Sequence, residues 1–346
     1  MLCSTRCKKR IARLSKLVLV LLWSCLPCWA DDVPVAPIEP GGWQSWAESI
    51  TLGNERIEVV IVPALGRMTS FSAQGEDNML RFIEHPETNV WFDAGSDRLY
   101  PVAQVDWNKL QEGKWPPPSD LDPGAWNARA WRSSNGSQHC VLEVEYGAPL
   151  HLACKRSFHL APDQTGIRIK QRITRLEASA VPVTLWNLTQ VNAAERVVLP
   201  LARKSNFGEG IRTVFGNTPP EVAITFCGNQ TVVCTTKLLG EVKLGTDSLI
   251  QWVAGAVGSR MILQQVLTMP SDHAYPDSGC TVECYVHPGL GYSDLELLGP
   301  VSSLPVGHSL ENEIRISLHH IDSGLDDCAL SKVAKRLLAG EPRIAE

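Results

Sequence analysis

A chain of 346 residues with 44% hydrophobic and 20% charged positions has the composition of an ordinary globular protein, which excludes a disordered or fibrous one. Its formal net charge of −5 at pH 7 argues against nucleic acid as a partner, because phosphates demand clustered Lys and Arg.

The N-terminus departs from that average. Arg6, Lys8, Lys9, Arg10, Arg13 and Lys16 form a basic stretch without an acid, and Leu17–Leu26 is an apolar run too short to span a bilayer. That pattern is a signal peptide over residues 1–30, cleaved after Ala30, and the expected location is periplasmic or secreted. A lipoprotein is disfavoured because Trp23 fits poorly in the box before Cys25, and an uncleaved anchor is the other alternative. After cleavage no membrane span is expected. The remaining 26 basic residues face 37 acidic ones, a net charge of −11 that also disfavours polyanionic sugars.

Seven cysteines survive cleavage: Cys140, Cys154, Cys227, Cys234, Cys280, Cys284 and Cys328. An oxidising compartment makes pairing plausible, and Cys140/Cys154 and Cys227/Cys234 each flank a candidate hairpin, while Cys280 and Cys284 are close in sequence. The odd number leaves at least one thiol free or bonded to another chain, and the connectivity stays open. No spacing suits a metal site, so neither a metal nor a cofactor is expected.

Residues 31–42 are a Pro/Gly-rich lead-in, followed by strand patterns through residues 43–322. Ala47–Leu52, Ile57–Val62, Arg67–Phe71 and Asn78–Phe82 come first. Trp91–Trp126 then concentrates Trp91, Trp107, Trp115 and Trp126 around Pro116–Pro118, with Gly95 and Gly124 as turns. This stretch is expected to be an irregular loop, without a helix or a central strand. Its indole faces suit the apolar C–H faces of a sugar; the structural alternative is a loop capping a sheet. Gln138–Tyr146, Leu150–Leu160 and Gly166–Arg175 follow. In the last of these, Ile167, Ile169 and Ile173 alternate with Arg168, Lys170 and Arg172.

The pattern continues through Val181–Val191, Val222–Phe226, Thr231–Thr235, Ser248–Val253, Met261–Leu267, Val282–Val286, Asp294–Leu298 and Ser309–His319. Residues 323–346 read as a helix and tail, with Ser323 capping a helix from near Leu325 to Gly340. The expected fold is all-β: one large antiparallel β-sandwich with a short C-terminal helix.

Four motifs in order resemble the galactose mutarotase-like (aldose 1-epimerase) superfamily, and an exported bacterial branch of it. They are ITLGNERIEVVIVPALGRMTSFSAQGEDNMLRF, AGSDRLYP (94–101), LWNLTQV (185–191) and LELLGPVSSLPVGHSLENEIRISL (295–318). The resemblance implies a twisted super-sandwich with a mono- or oligosaccharide site in a concave face. It also implies acid–base chemistry, in which a Glu takes the anomeric proton and a His protonates the ring oxygen. Glu296 falls at the position of the base, with Glu283 as a second candidate; either is otherwise a solvated strand acid. Where the family places a central-strand His, this chain has Trp186–Gln190. Asn187 there can hydrogen-bond a hydroxyl but cannot recover a proton.

His159 and His287 are the histidines with access to a cleft from other strands. Arg67, Asn78, Asp97, Arg98, Gln104, Trp107 and Trp115 complete the candidate ligand contacts. Asp97 and Arg98, being adjacent on an extended chain, point to opposite faces. Three readings stand: a carbohydrate-binding protein, an active epimerase or other sugar enzyme using Glu296, and an envelope scaffold whose aromatic loop meets a protein.

Overall fold

The computed structural model describes residues 33–84, 92–113, 115–119, 121, 126–270 and 274–340. The expected signal segment 1–30, Trp91, Gly124 and His273 lie outside the described residues. Two antiparallel sheets make the body, one of eleven strands and one of ten. The ten-stranded sheet runs in space through Arg212–Gly216, Val242–Thr246, Val282–His287, Tyr292–Leu298, Trp186–Asn192 and Ser96–Tyr100. It continues through Arg67–Ala73, Ile57–Val62, Trp46–Gly53 and Gly41–Trp43. The eleven-stranded sheet is centred on Leu152–Leu160, Gly166–Arg175, Ser309–His320 and Arg260–Thr268.

Period-two alternation explains how the sheets meet. Ile167, Ile169 and Ile173 join Ile314 and Ile316 from the neighbouring strand in the core, against Leu52, Val59, Ile61 and Met68 of the other sheet. On the outer face of the same strand, Arg168 pairs with Glu313 at 2.6 Å and Lys170 with Glu311 at 3.1 Å. The all-β sandwich is therefore the fold. Among the described residues no helix is long and apolar enough to cross a membrane.

The Trp-rich stretch corrects one expectation. Ser96–Tyr100 is a central strand, hydrogen-bonded to Trp186–Asn192 on one side and to Arg67–Ala73 on the other. Its five residues are all buried, yet Ser96, Asp97 and Arg98 are polar, so no hydrophobic pattern announces it. The lead-in supplies two short strands, Pro34–Pro37 and Gly41–Trp43, each at a sheet edge, where a proline without an N–H donor is tolerated. Glu221–Ala223 is a 3₁₀ turn preceding a strand at Ile224–Cys227, and the strand expected at Ser248–Val253 begins only at Trp252.

The C-terminal helix spans Asp327–Gly340 and lays Leu330 and Ala334 on Val198, Val233, Trp252 and Met261, on the outer side of the eleven-stranded sheet. Asp326, rather than Ser323, caps it: its carboxylate accepts from Ala329 N at 2.7 Å. Cys328 is disulfide-bonded to Cys227, which corrects the hairpin-flanking pairs. Register is the reason. Cys140 lies opposite Phe158 and Cys154 opposite Val144, while Cys227 lies opposite Thr231 and Cys234 opposite Ile224. Cys140, Cys154, Cys234, Cys280 and Cys284 are buried thiols. Because the disulfide closes a span of 101 residues, Cys328→Ser is expected to cost about 2–4 kcal/mol in a urea melt under oxidising conditions. An unchanged midpoint would show that helix docking alone holds the C-terminus.

Candidate functional site

A cavity of about 540 Å³ opens on the face of the ten-stranded sheet that looks away from its partner. Alternation selects what lines it. Arg98 and Tyr100, then Trp186, Leu188 and Gln190, then Tyr292, Asp294 and Glu296 face the cavity. The intervening Asp97, Asn187 and Leu295 face the other sheet. Cross-strand register assembles the rows: Leu188 sits between Arg98 and Glu296, and Gln190 lies opposite Asp294.

Two aromatic walls rise from this floor. On one side Trp107 stacks on Trp115 with ring centres 6.3 Å apart and meets Trp186 at 5.9 Å and Tyr100 at 5.4 Å. The 3₁₀ turn Gln104–Lys109 carries Trp107, whose indole N–H donates to Val102 O at 3.2 Å. On the other side His287 stacks on Tyr292 at 5.7 Å, and Tyr285 lies 5.9 Å from Tyr292.

The floor is charged and buried. Glu296 Oε2 accepts from Trp186 Nε1 at 2.8 Å and from Lys243 Nζ at 2.9 Å. Lys243 Nζ is also 3.2 Å from Glu283 Oε2, on the strand where Glu283 lies directly opposite Glu296. Burial disfavours the Lys243 ammonium, but the charges of Glu296 and Glu283 outweigh it and hold its pKa above the ordinary lysine value. Burial pushes the Glu283 carboxyl up, against Lys243 and with help from the Glu296 charge. Burial likewise raises Asp294 to about 8, with Glu296 adding and Arg98 opposing. Among the described residues Glu296 Oε1 and Asp294 Oδ1 are buried without a hydrogen-bond partner.

Asp93 is the opposite case. Burial would raise it, yet Arg98, the Gln190 amide, Arg67 and Arg81 together hold it at about 2. Its oxygens accept from Arg98 Nη1 at 3.1 Å and Gln190 Nε2 at 2.9 Å. Gly95 makes the turn possible: at φ +76° an added Cβ would stand 2.2 Å from Arg81 O. Among the described residues no group of His, Cys, Asp and Glu is placed to hold a metal ion.

The structure thus brings Glu296, Arg98, Gln104, Trp107 and Trp115 together, with Glu283 behind Glu296. Asn187 and Asp97 are corrected as ligand contacts. Both face inward, where Asn187 Nδ2 and Thr189 Oγ1 donate to Asp97 Oδ2 at 2.9 and 2.6 Å and Arg156 bonds its other oxygen. Arg67 is buried with its guanidinium on Gly95 O, and burial with the Arg98 charge lowers its pKa to about 9. Asn78 clamps its own turn, accepting from Phe71 N and Leu80 N and donating to Thr69 O. His159 lies in the other sheet beside His139, whereas His287 lines the cavity. Sequence reasoning missed Trp186, Gln190, Tyr292 and Asp294, although counting by twos along the two strands finds all four. Lys243 arrives from a strand that sequence reading left out altogether, and no local signal marks it.

No protein-family model and no curated protein matches the sequence. Solved structures do. The Slr1438 protein from Synechocystis sp. PCC 6803 superposes with a TM-score of 0.55 at 14% identity, over 84% of this chain and 99% of that one. A galactose mutarotase-like protein from Lactobacillus casei ATCC 334 gives 0.53 at 13% identity, over 78% and 100%. A galactose mutarotase related enzyme from Lactobacillus acidophilus gives 0.53 at 8%, over 80% and 99%. The chain has the galactose mutarotase-like fold.

Two outcomes follow from the floor. Lys243→Met leaves Glu283 and Glu296 facing each other, with an expected loss of about 3–5 kcal/mol in urea at pH 7 that shrinks toward pH 5 and is largely recovered by adding Glu283→Gln. Equal losses at both pH values would show that packing, not charge, carries the effect. Asp294 holds its proton in the folded state from near its ordinary value of about 4 up to about 8, so its contribution to stability falls as pH rises through that window. Thermal melts of Asp294→Asn should therefore gain on the parent by a few degrees between pH 5 and pH 8 and level off above. A constant offset would contradict the shift.

Proposed function

We propose that this protein binds a mono- or oligosaccharide in the cavity of the ten-stranded sheet, outside the cytoplasm. The observation that carries this reading is the pair of aromatic walls, Trp107/Trp115/Trp186 and Tyr285/His287/Tyr292, standing over a polar floor. Pyranoses present apolar C–H faces to such rings and hydroxyls to the groups between them. The cavity volume falls in the roughly 300–1,000 Å³ range of small-molecule sites. A flat apolar patch, which a scaffold would present to a partner, is not what surrounds these residues.

Binding is favoured over epimerisation by the placement of the histidines. Among the described residues the histidine in the lining is His287, which pairs across the strands with Tyr292. Glu296 is four residues further along, ~13 Å at strand spacing. Among the described residues no imidazole faces Glu296 across a sugar-sized gap. Export is supported by the basic and then apolar N-terminus and by the Cys227–Cys328 disulfide, a bond that persists in oxidising compartments.

Titration of tryptophan fluorescence with neutral hexoses and short oligosaccharides tests the reading. A saturable change is expected. Trp115→Ala should weaken it about tenfold, or about 1.4 kcal/mol, and uronic acids should bind less well because both lining cations are already paired. Tighter binding of uronic acids than of their neutral parents, or no saccharide response at all, would sink it. Anomer exchange followed by NMR is expected to show no acceleration over blank. A rate enhancement lost in Glu296→Gln would restore the epimerase reading.

A further inference from the structure

Of the lining carboxylates without an ion pair among the described residues, Asp294 is the buried one. Arg98 is paired to Asp93 at 3.1 Å and Lys243 to Glu296 at 2.9 Å, so both cations in the lining are neutralised within it. Among the described residues Asp294 forms no ion pair of that kind, although the Arg98 charge acts on it. It is 6% exposed, lines the cavity, and its Oδ1 is buried with no hydrogen bond among the described residues. Five carboxylates line the space (Asp93, Glu241, Asp277, Asp294 and Glu296) against those two cations. An unpaired buried carboxylate is costly, and the cost falls when a cation arrives.

The neighbours of Asp294 suit a cation as well. Register sets Tyr285 beside it on one side and Gln190 on the other, and Tyr292 and Glu296 are its same-face neighbours along the strand. A tyrosine ring attracts an ammonium; the Tyr292 ring already carries the Arg81 guanidinium at 4.6 Å and the stacked His287, which leaves the Tyr285 ring for a ligand, and the Gln190 amide is engaged by Asp93. We propose that the saccharide taken by this cavity carries a free amino group, with its ammonium seated on Asp294 beside the Tyr285 ring. The inference rests on the carbohydrate reading and names the class of sugar. N-acetylation removes the charge, and a uronic acid reverses it, so neither should be a good substitute.

The protonation of Asp294 gives the proposal a signature. Burial raises the Asp294 pKa to about 8, with the Glu296 and Asp93 charges adding, while Arg98 and the Gln190 amide oppose them; Tyr285 and Tyr292 stay neutral, their pKa values raised by burial. At pH 7 most of the empty protein therefore carries a proton on Asp294. An arriving ammonium displaces that proton to solvent, so binding releases protons near neutrality and strengthens from pH 6 toward pH 7.5.

Isothermal titration with glucosamine, N-acetylglucosamine and glucose, and with the galacto series, tests this at pH 7 in two buffers of different ionisation enthalpy. In one of the series the amino sugar is expected to bind about tenfold tighter than both counterparts, with heats that differ between buffers as proton release requires. Asp294→Asn should reduce that preference to within about threefold. If Asp294→Asn does not fold, Asp294→Ser takes its place, and the buffer comparison on the parent protein stands by itself. A neutral parent bound as tightly as the amino sugar, a preference that survives the substitution, or binding without proton release would each overturn the inference while the carbohydrate reading stands. Absence of binding by every sugar would overturn both.

Discussion

A single lysine ammonium holds the floor of the cavity together. Glu283 and Glu296 lie directly opposite each other on adjacent strands, and like charges in that relation repel. Lys243 reaches both from the strand beside that of Glu283, and the Trp186 indole supplies a further donor to Glu296. The aromatic wall depends on this arrangement, because Trp186 is the ring against which Trp107 is set, and Trp107 in turn supports Trp115. The same strands would hold any other set of side chains. The charge balance between three of them makes this a shaped cavity.

On the reverse side of those strands a second polar network does different work. Asp97 gathers Asn187, Thr189 and Arg156, and Arg156 continues to Gln171 and on to Asn312 of the opposite sheet. The links from Asp97 through Arg156 and Gln171 are made by paired groups, as a dry interior demands. The central strands are thus polar on both faces for separate reasons: one face fixes the two sheets to each other, and the other lines the cavity. A residue's parity along the strand decides which task it has.

That division also explains what was legible. Strict alternation, as in Gly166–Arg175, and continuous β-branched runs, as in Ile57–Val62, are enough to specify those strands and point to a sandwich. The Ser96–Tyr100 strand was invisible because its burial is compensated by partners and not by hydrophobicity. Glu296 was found through the resemblance, and its neighbour Asp294 was within reach of simple counting. Lys243 was not, since its role arises from strand order, a property of the assembled sheet. Asn187 was misjudged because only parity separates a ligand contact from an internal clamp.

The two margins of the eleven-stranded sheet are finished in different ways. At one end lies Pro34–Pro37, whose terminal prolines offer no N–H to a further strand. At the other lies Ile224–Cys227, against which the C-terminal helix is fastened by Cys227–Cys328 and by Thr225 on Asp327. An open sheet of this width is otherwise a template for copies of itself to add on, edge to edge. The proline margin is guarded permanently by its chemistry. The other is covered by the C-terminal helix, which the Cys227–Cys328 bond, the Thr225–Asp327 hydrogen bond and the packing of Leu330 and Ala334 together hold in place, so closure of that margin is shared among several contacts.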